Sequence, residues 1–233
     1  MAAESAAVVL PDTDPPYMIY PASRVLARWL TDEAREWQGG RLTASTMAVL
    51  ELGAGSALPA LTAASVLENV HTVVATDTRL PPGGADAWAE AVRNGNSRIR
   101  NDTEISYHCL AWGRLPPASV MDAIAGGGGK GSAKNDEAYL LILGADLIFD
   151  DDLCSSRMAA DSLFATVALV LSKARGSFLL AHHVREEGLS VASLLDAWGL
   201  VAELVSEANL GCEEATPESS EPVELWLISL AVD

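Results

Sequence analysis

A run of acid and glycine, Glu51-Leu52-Gly53-Ala54-Gly55, stands between an apolar stretch and a helix-favouring one, and a second acid, Asp77, closes the next apolar stretch. Glycines at such a junction allow a tight turn and let a ligand approach the backbone at a helix N-terminus. A carboxylate at the end of the following strand can accept hydrogen bonds from both hydroxyls of a ribose. Together these residues predict a nucleoside site. Position 58 is leucine where a dinucleotide fingerprint needs glycine. A ligand that carries an ammonium and a sulfonium but no phosphate also gains from Glu51, which can neutralise or orient it. The competing reading is an ordinary strand-to-helix turn with Asp77 as a helix cap.

Asp146 follows the apolar run 140–143 and falls at the carboxyl end of a predicted central strand. A carboxylate there is costly to bury alone, so it needs a partner or a cleft. Alternatively it caps the next turn, with Asp150, Asp151 and Asp152 as an acidic helix start. His182 and His183 end the following strand, where they contact substrate or simply pack. Only Glu186 stands at a suitable offset for metal ligation, so no metal site is predicted. The glycine-rich stretch 126–132 has Gly131 where a phosphate loop needs Ser or Thr, and it precedes a strand instead of following one. It reads as a linker.

The elements that must position these residues follow from hydrophobic periodicity. Helices are predicted over 21–37, 57–67, 85–92, 156–173 and 190–198, and strands over 47–52, 73–76, 105–110, 139–143, 177–181, 200–205 and 224–230. Alternation of this kind implies a mostly parallel sheet covered by helices on both faces. No helix-like segment separates the last two strands, which therefore form an antiparallel pair at the end of the sheet. Residues 1–16 form a loose arm and 17–233 one domain, with polar surface loops at 126–136 and 207–222.

With 233 residues, 49% of them hydrophobic, the chain can bury one substantial core. Fifteen basic against thirty-two acidic side chains give a net charge of -17, which favours basic partners and disfavours nucleic acid and anionic membranes. Arg93, Arg98 and Arg100 are the nearest approach to a basic stripe, but Asp102 and Glu104 follow at once. Three scattered cysteines, 109, 154 and 212, argue against a disulfide framework and a structural zinc site. The first ten residues lack a secretory pattern, and no apolar run suits a membrane span, so a monomer in the reducing cytoplasm is expected.

Three segments stand out together: 49–55 with Ala75-Thr76-Asp77, then Leu110-Ala111-Trp112-Gly113, and Leu143-Gly144-Ala145-Asp146-Leu147-Ile148-Phe149. They resemble the seven-strand protein lysine methyltransferases, a family that modifies translation elongation factors and chaperones and includes nicotinamide N-methyltransferase-like fungal proteins. Tyr20-Pro21 is a weaker likeness, since many members place tryptophan before the proline. The resemblance implies a single Rossmann-like α/β domain of the class I methyltransferase fold, with an antiparallel last strand. It implies S-adenosylmethionine held by Glu51, Gly53, Gly55, Asp77 and Ala145, with Trp112 against the adenine and Tyr20 as a cover. Asp146 would orient a substrate amine, and Phe149, tyrosine in most members, would line the slot around it. The implied substrate is a lysine or N-terminal amine of a translation factor or chaperone. A small-molecule N-methyltransferase and a non-catalytic cofactor-binding protein are the alternatives. An NAD-dependent oxidoreductase is more distant, because no hydride-transfer pair is evident.

Overall fold

A computed structural model describes residues 19–32, 46–125, 138–148, 153–184, 191–209 and 222–231. Their elements, in chain order, are α1 (Pro21–Asp32), β1 (Thr46–Leu52), α2 (Leu58–Val66), β2 (Val70–Asp77), α3 (Gly84–Gly95), β3 (Glu104–Cys109), α4 (Ala118–Ala125), β4 (Ala138–Ala145), α5 (Leu153–Leu171), β5 (Gly176–His183), α6 (Val191–Leu195), β6 (Leu200–Asn209) and β7 (Pro222–Leu230).

The seven strands form one sheet in the order β3-β2-β1-β4-β5-β7-β6. Neighbours from β3 to β5 pair in parallel, while β7 runs antiparallel to both β5 and β6. The expected antiparallel pair is therefore present, with β7 inserted between β5 and the edge strand β6. This is the Rossmann-like α/β architecture expected from the sequence. The strand order reverses between β1 and β4, the place where doubly wound sheets open a crevice at their carboxyl edge.

The central strands carry apolar residues on both faces because helices cover both faces. On one side Val49, Val73, Leu141 and Leu179 pack beneath α1, α2 and α3 in a core that includes Leu26, Leu30, Leu61 and Val92. On the other, Leu50, Val74, Ile142 and Leu180 pack beneath α4, α5 and α6, with Val120, Phe164, Val167 and Leu194.

Beyond shifts of a few residues at element ends, one helix and two boundaries differ from the sequence reading. Helix α4 went unread, since eight residues are too few for a clear period, yet Val120 and Ile124 are buried one turn apart. The 190–198 helix divides into α6 and a 3₁₀ turn over Asp196–Trp198, ended by Gly199 at φ 61°. Strand β6 runs on to Asn209, into the segment expected as a loop, with a bulge between Leu204 and Ser206. The predicted arm at 1–16, residues 33–37 of the first predicted helix, the whole 126–136 loop and 210–221 of the second loop lie outside the described residues.

Candidate active site

The turn after β1 alternates left-handed residues: Gly53 at φ 60°, Gly55 at 49° and Ala57 at 60°. Alanine in that region is strained, and a packed surrounding has to hold it there. Ala57 is fully buried, and its N–H donates to the Ala54 carbonyl at 2.6 Å. Proline at position 59 suits the first turn of α2, where its missing N–H costs nothing.

Two carboxyl groups fasten this turn from different sides. Asp77, half-buried at the end of β2, accepts the Gly55 N–H at 3.0 Å through Oδ2. Its Oδ1 accepts the N–H of Thr78 at 2.6 Å and the Thr78 hydroxyl at 3.2 Å. Glu51 lies in β1 at 2% exposure, and its Oε2 accepts the Ala60 N–H at 2.8 Å. The carboxyl thus satisfies an otherwise orphaned donor in the first turn of α2. Burial pushes Glu51 up to about 8; the Ala60 hydrogen bond opposes that rise, and the nearby Asp77 charge adds to it.

Backbone links complete the frame. The Thr76 hydroxyl donates to the Glu51 carbonyl at 2.8 Å, and the Ala54 N–H to the Thr76 carbonyl at 2.8 Å. From β3, the Tyr107 hydroxyl donates to the Gly55 carbonyl at 3.1 Å, and its ring meets Trp88 edge-on with centroids 5.0 Å apart. Sequence reading missed Tyr107. Only the register of β3 on β2 aims it at a turn 52 residues away.

Trp112 stands half-buried in the loop after β3, packed against the α5 side of the core. Its Cζ2 lies 3.3 Å from where a Cβ on Gly53 would be. Gly113, at φ 76°, donates its N–H to the Thr166 hydroxyl of α5 at 2.9 Å, which fixes the loop beside that helix. A Cβ on Gly55, by contrast, would meet no atom of the described residues within 4 Å, its chain neighbours aside, so among them the turn is open on that side.

Asp146 follows β4 immediately and is half-buried, with φ 52°. Its N–H donates to the Ala181 carbonyl of β5 at 2.9 Å. Ala145 pairs with Ala181 and is half-buried at the same edge. Topology thus gathers Gly53, Gly55, Asp77, Trp112, Ala145 and Asp146 on the carboxyl edges of adjacent strands. Tyr20 is 51% exposed at the start of α1, where its carbonyl accepts the N–H groups of Ser23 and Arg24. Phe149 lies outside the described residues. His182 is buried and His183 half-buried in β5, opposite Glu224 and Val223 of β7. Among the described residues no three His, Cys, Asp or Glu side chains are grouped as metal ligands.

No protein-family profile and no curated protein matches the sequence. Solved structures resemble the fold. One is the human methyltransferase 10 domain containing protein, at 12% identity over 91% of this chain and 83% of that one, with a TM-score of 0.49. Another is magnesium protoporphyrin IX methyltransferase from Synechocystis PCC 6803 with bound SAH, at 9% identity over 89% and 85%, with a TM-score of 0.48. EvdMO1 is similar at 14% identity over 87% of this chain, with a TM-score of 0.44; the chain spans 41% of that protein's length. Likenesses this distant carry no argument, and the strand order rests on the observed pairings alone.

Proposed function

We propose that the chain is an S-adenosylmethionine-dependent methyltransferase that acts on a protein amine, a lysine or an N-terminal amine of a translation factor or chaperone. The observation that carries this reading is the Asp77–Gly55 arrangement: a strand-end carboxylate tied to a glycine turn that is open on one side, at the point where the strand order reverses. The residues present fit the cofactor. Asp77 can hold the ribose hydroxyls, the open side of Gly55 leaves room for the backbone to approach a ligand, and Trp112 beside Gly53 can offer a face to the adenine. Asp77 is the carboxylate at this edge that suits the positive charge of a sulfonium and an ammonium, whereas Glu51, buried and held on the Ala60 N–H, braces the turn from within. When bound, the cofactor supplies an electrophilic methyl group on sulfur.

The chain's own task is then to align the acceptor and keep it neutral. Asp146 orients the incoming amine through its carboxylate; Phe149, which follows in sequence outside the described residues, is the aromatic residue proposed to contact it. The acceptor must react as the free amine, its ammonium proton having passed to solvent; Asp146 then accepts a hydrogen bond from the neutral N–H, the nitrogen lone pair takes the methyl, and the sulfur keeps the pair of the broken S–C bond.

A protein acceptor is supported by the charge: thirty-two acidic against fifteen basic side chains give a net charge of -17, which attracts a basic protein surface. Nucleic acid fits poorly, since Arg100 pairs with Asp102, and Arg93 reaches towards the Ile105 carbonyl. We infer a monomer of the reducing cytoplasm with a basic partner; no described helix is long and apolar enough to cross a membrane.

Calorimetric titration with S-adenosylmethionine and with NAD, on the wild type and on Asp77→Ala, tests the reading. Micromolar affinity for the first ligand alone, lost in the variant, supports it. Equal affinity for NAD, or no binding at millimolar ligand, overturns it. Tritiated methyl transfer to proteins of a cell extract, against transfer to small molecules alone, decides the acceptor class.

A further inference from the structure

Leu147 is 4% exposed, directly after the left-handed Asp146, and sequence reading gave it no role. Its two terminal methyls fill two gaps left by glycines. Cδ2 lies 2.7 Å from the position a Cβ on Gly53 would take, and Cδ1 lies 2.6 Å from the corresponding point on Gly144. Each gap has a second wall: Trp112 Cζ2 at 3.3 Å beside Gly53, and Phe178 Cε2 at 2.9 Å beside Gly144. Gly144 pairs across the sheet with Leu52, the residue before Gly53, so the leucine straddles the seam between β1 and β4. The left-handed Asp146 turns the chain back so that Leu147 reaches that seam, while the Asp146 N–H stays on the Ala181 carbonyl.

We infer that Leu147 is the positioning residue that locks the glycine turn to the Asp146 edge, so that cofactor site and acceptor site hold one geometry. The inference rests on the function proposed above for what the two sites bind. The lock itself stands on packing alone. A side chain with two branches in two glycine gaps cannot shift without moving both walls, because a close-packed interior transmits displacement. Glycine at 53 and 144 leaves those gaps, and a branched leucine fills both.

Hydrogen exchange on the free protein tests the lock without any ligand. In Leu147→Ala, and in the milder Leu147→Val should alanine impair folding, exchange should quicken together at the Ala54 and Gly55 amides and at the Asp146 amide. The β2–β3 ladder should keep its protection. Affinity for S-adenosylhomocysteine should fall about tenfold in Leu147→Val well below its melting temperature, the size of an ordinary coupling between sites. Faster exchange at Asp146 alone, with the glycine turn as protected as in the wild type, overturns the lock. Loss of protection throughout the sheet in both variants also overturns it, since it leaves a general packing role. Failure of the wild type to bind the ligand, with the paired exchange effect intact, overturns the proposed function and leaves the lock standing.

Discussion

Asp77 accepts the Gly55 N–H at 3.0 Å, so the end of β2 and the turn after β1 form one unit before any ligand is considered. The same carboxylate is the group proposed for the ribose hydroxyls. Asp77→Ala should therefore weaken S-adenosylmethionine binding by roughly 1.5–3 kcal/mol, the scale of a hydrogen bond to a charged group. An unchanged dissociation constant by calorimetry would remove Asp77 from the site.

Glu51 gives a pH signature. Its folded pKa is raised from 4.5 to about 8, so the fold binds the Glu51 proton more tightly than the unfolded chain does. The resulting stability is fully present below 4.5 and is lost as pH climbs towards 8, by roughly 3–5 kcal/mol in all. Glu51→Gln keeps an acceptor for the Ala60 N–H and removes the titration. Melting temperatures of the variant between pH 5 and 9 should fall less than those of the wild type, and parallel profiles would rule this account out.

Asp146 separates chemistry from backbone. Asp146→Ala should abolish methyl transfer with cofactor affinity nearly unchanged. Asp146→Gly should abolish transfer as well while relieving the left-handed backbone, which costs about 1–2 kcal/mol in other residues. A rise in melting temperature of about 2–4 °C per kcal/mol relieved is expected for a domain of this size. Transfer that survives in both variants would end the proposed role of the carboxylate.

The two turn glycines should respond differently to alanine. A methyl on Gly53 meets Leu147 at 2.7 Å in a left-handed residue, so overpacking and strain together should cost about 2–4 kcal/mol of stability. A methyl on Gly55 meets nothing among the described residues within 4 Å, so only the strain of about 1–2 kcal/mol applies. Yet that methyl projects into the open side of the turn, and Gly55→Ala should lose cofactor binding while still folding. Denaturant melts beside calorimetry on both variants check the contrast; retained affinity in Gly55→Ala would place the ligand elsewhere.

The sequence by itself determined the alternation of strands and helices, the tight glycine turn, and the place of Asp77 and Asp146 at strand ends. Those features are local. Periodicity and the freedom of glycine to turn are properties of the chain itself, and a strand that ends in an acid must present it at the sheet edge. What the acid then touches is not local. Glu51, read as facing a cationic ligand, has its carboxyl on the Ala60 N–H, because β1 and α2 meet closely beyond the turn. Tyr107 reaches Gly55 only through the β2–β3 register, and β7 enters between β5 and β6 only because a hairpin can fold back on the parallel sheet. Leu147 looks like one more apolar residue in the sequence. Its place between Gly53 and Gly144 depends on how β1 and β4 align, and pairings between distant segments are decided by the packing of the whole sheet.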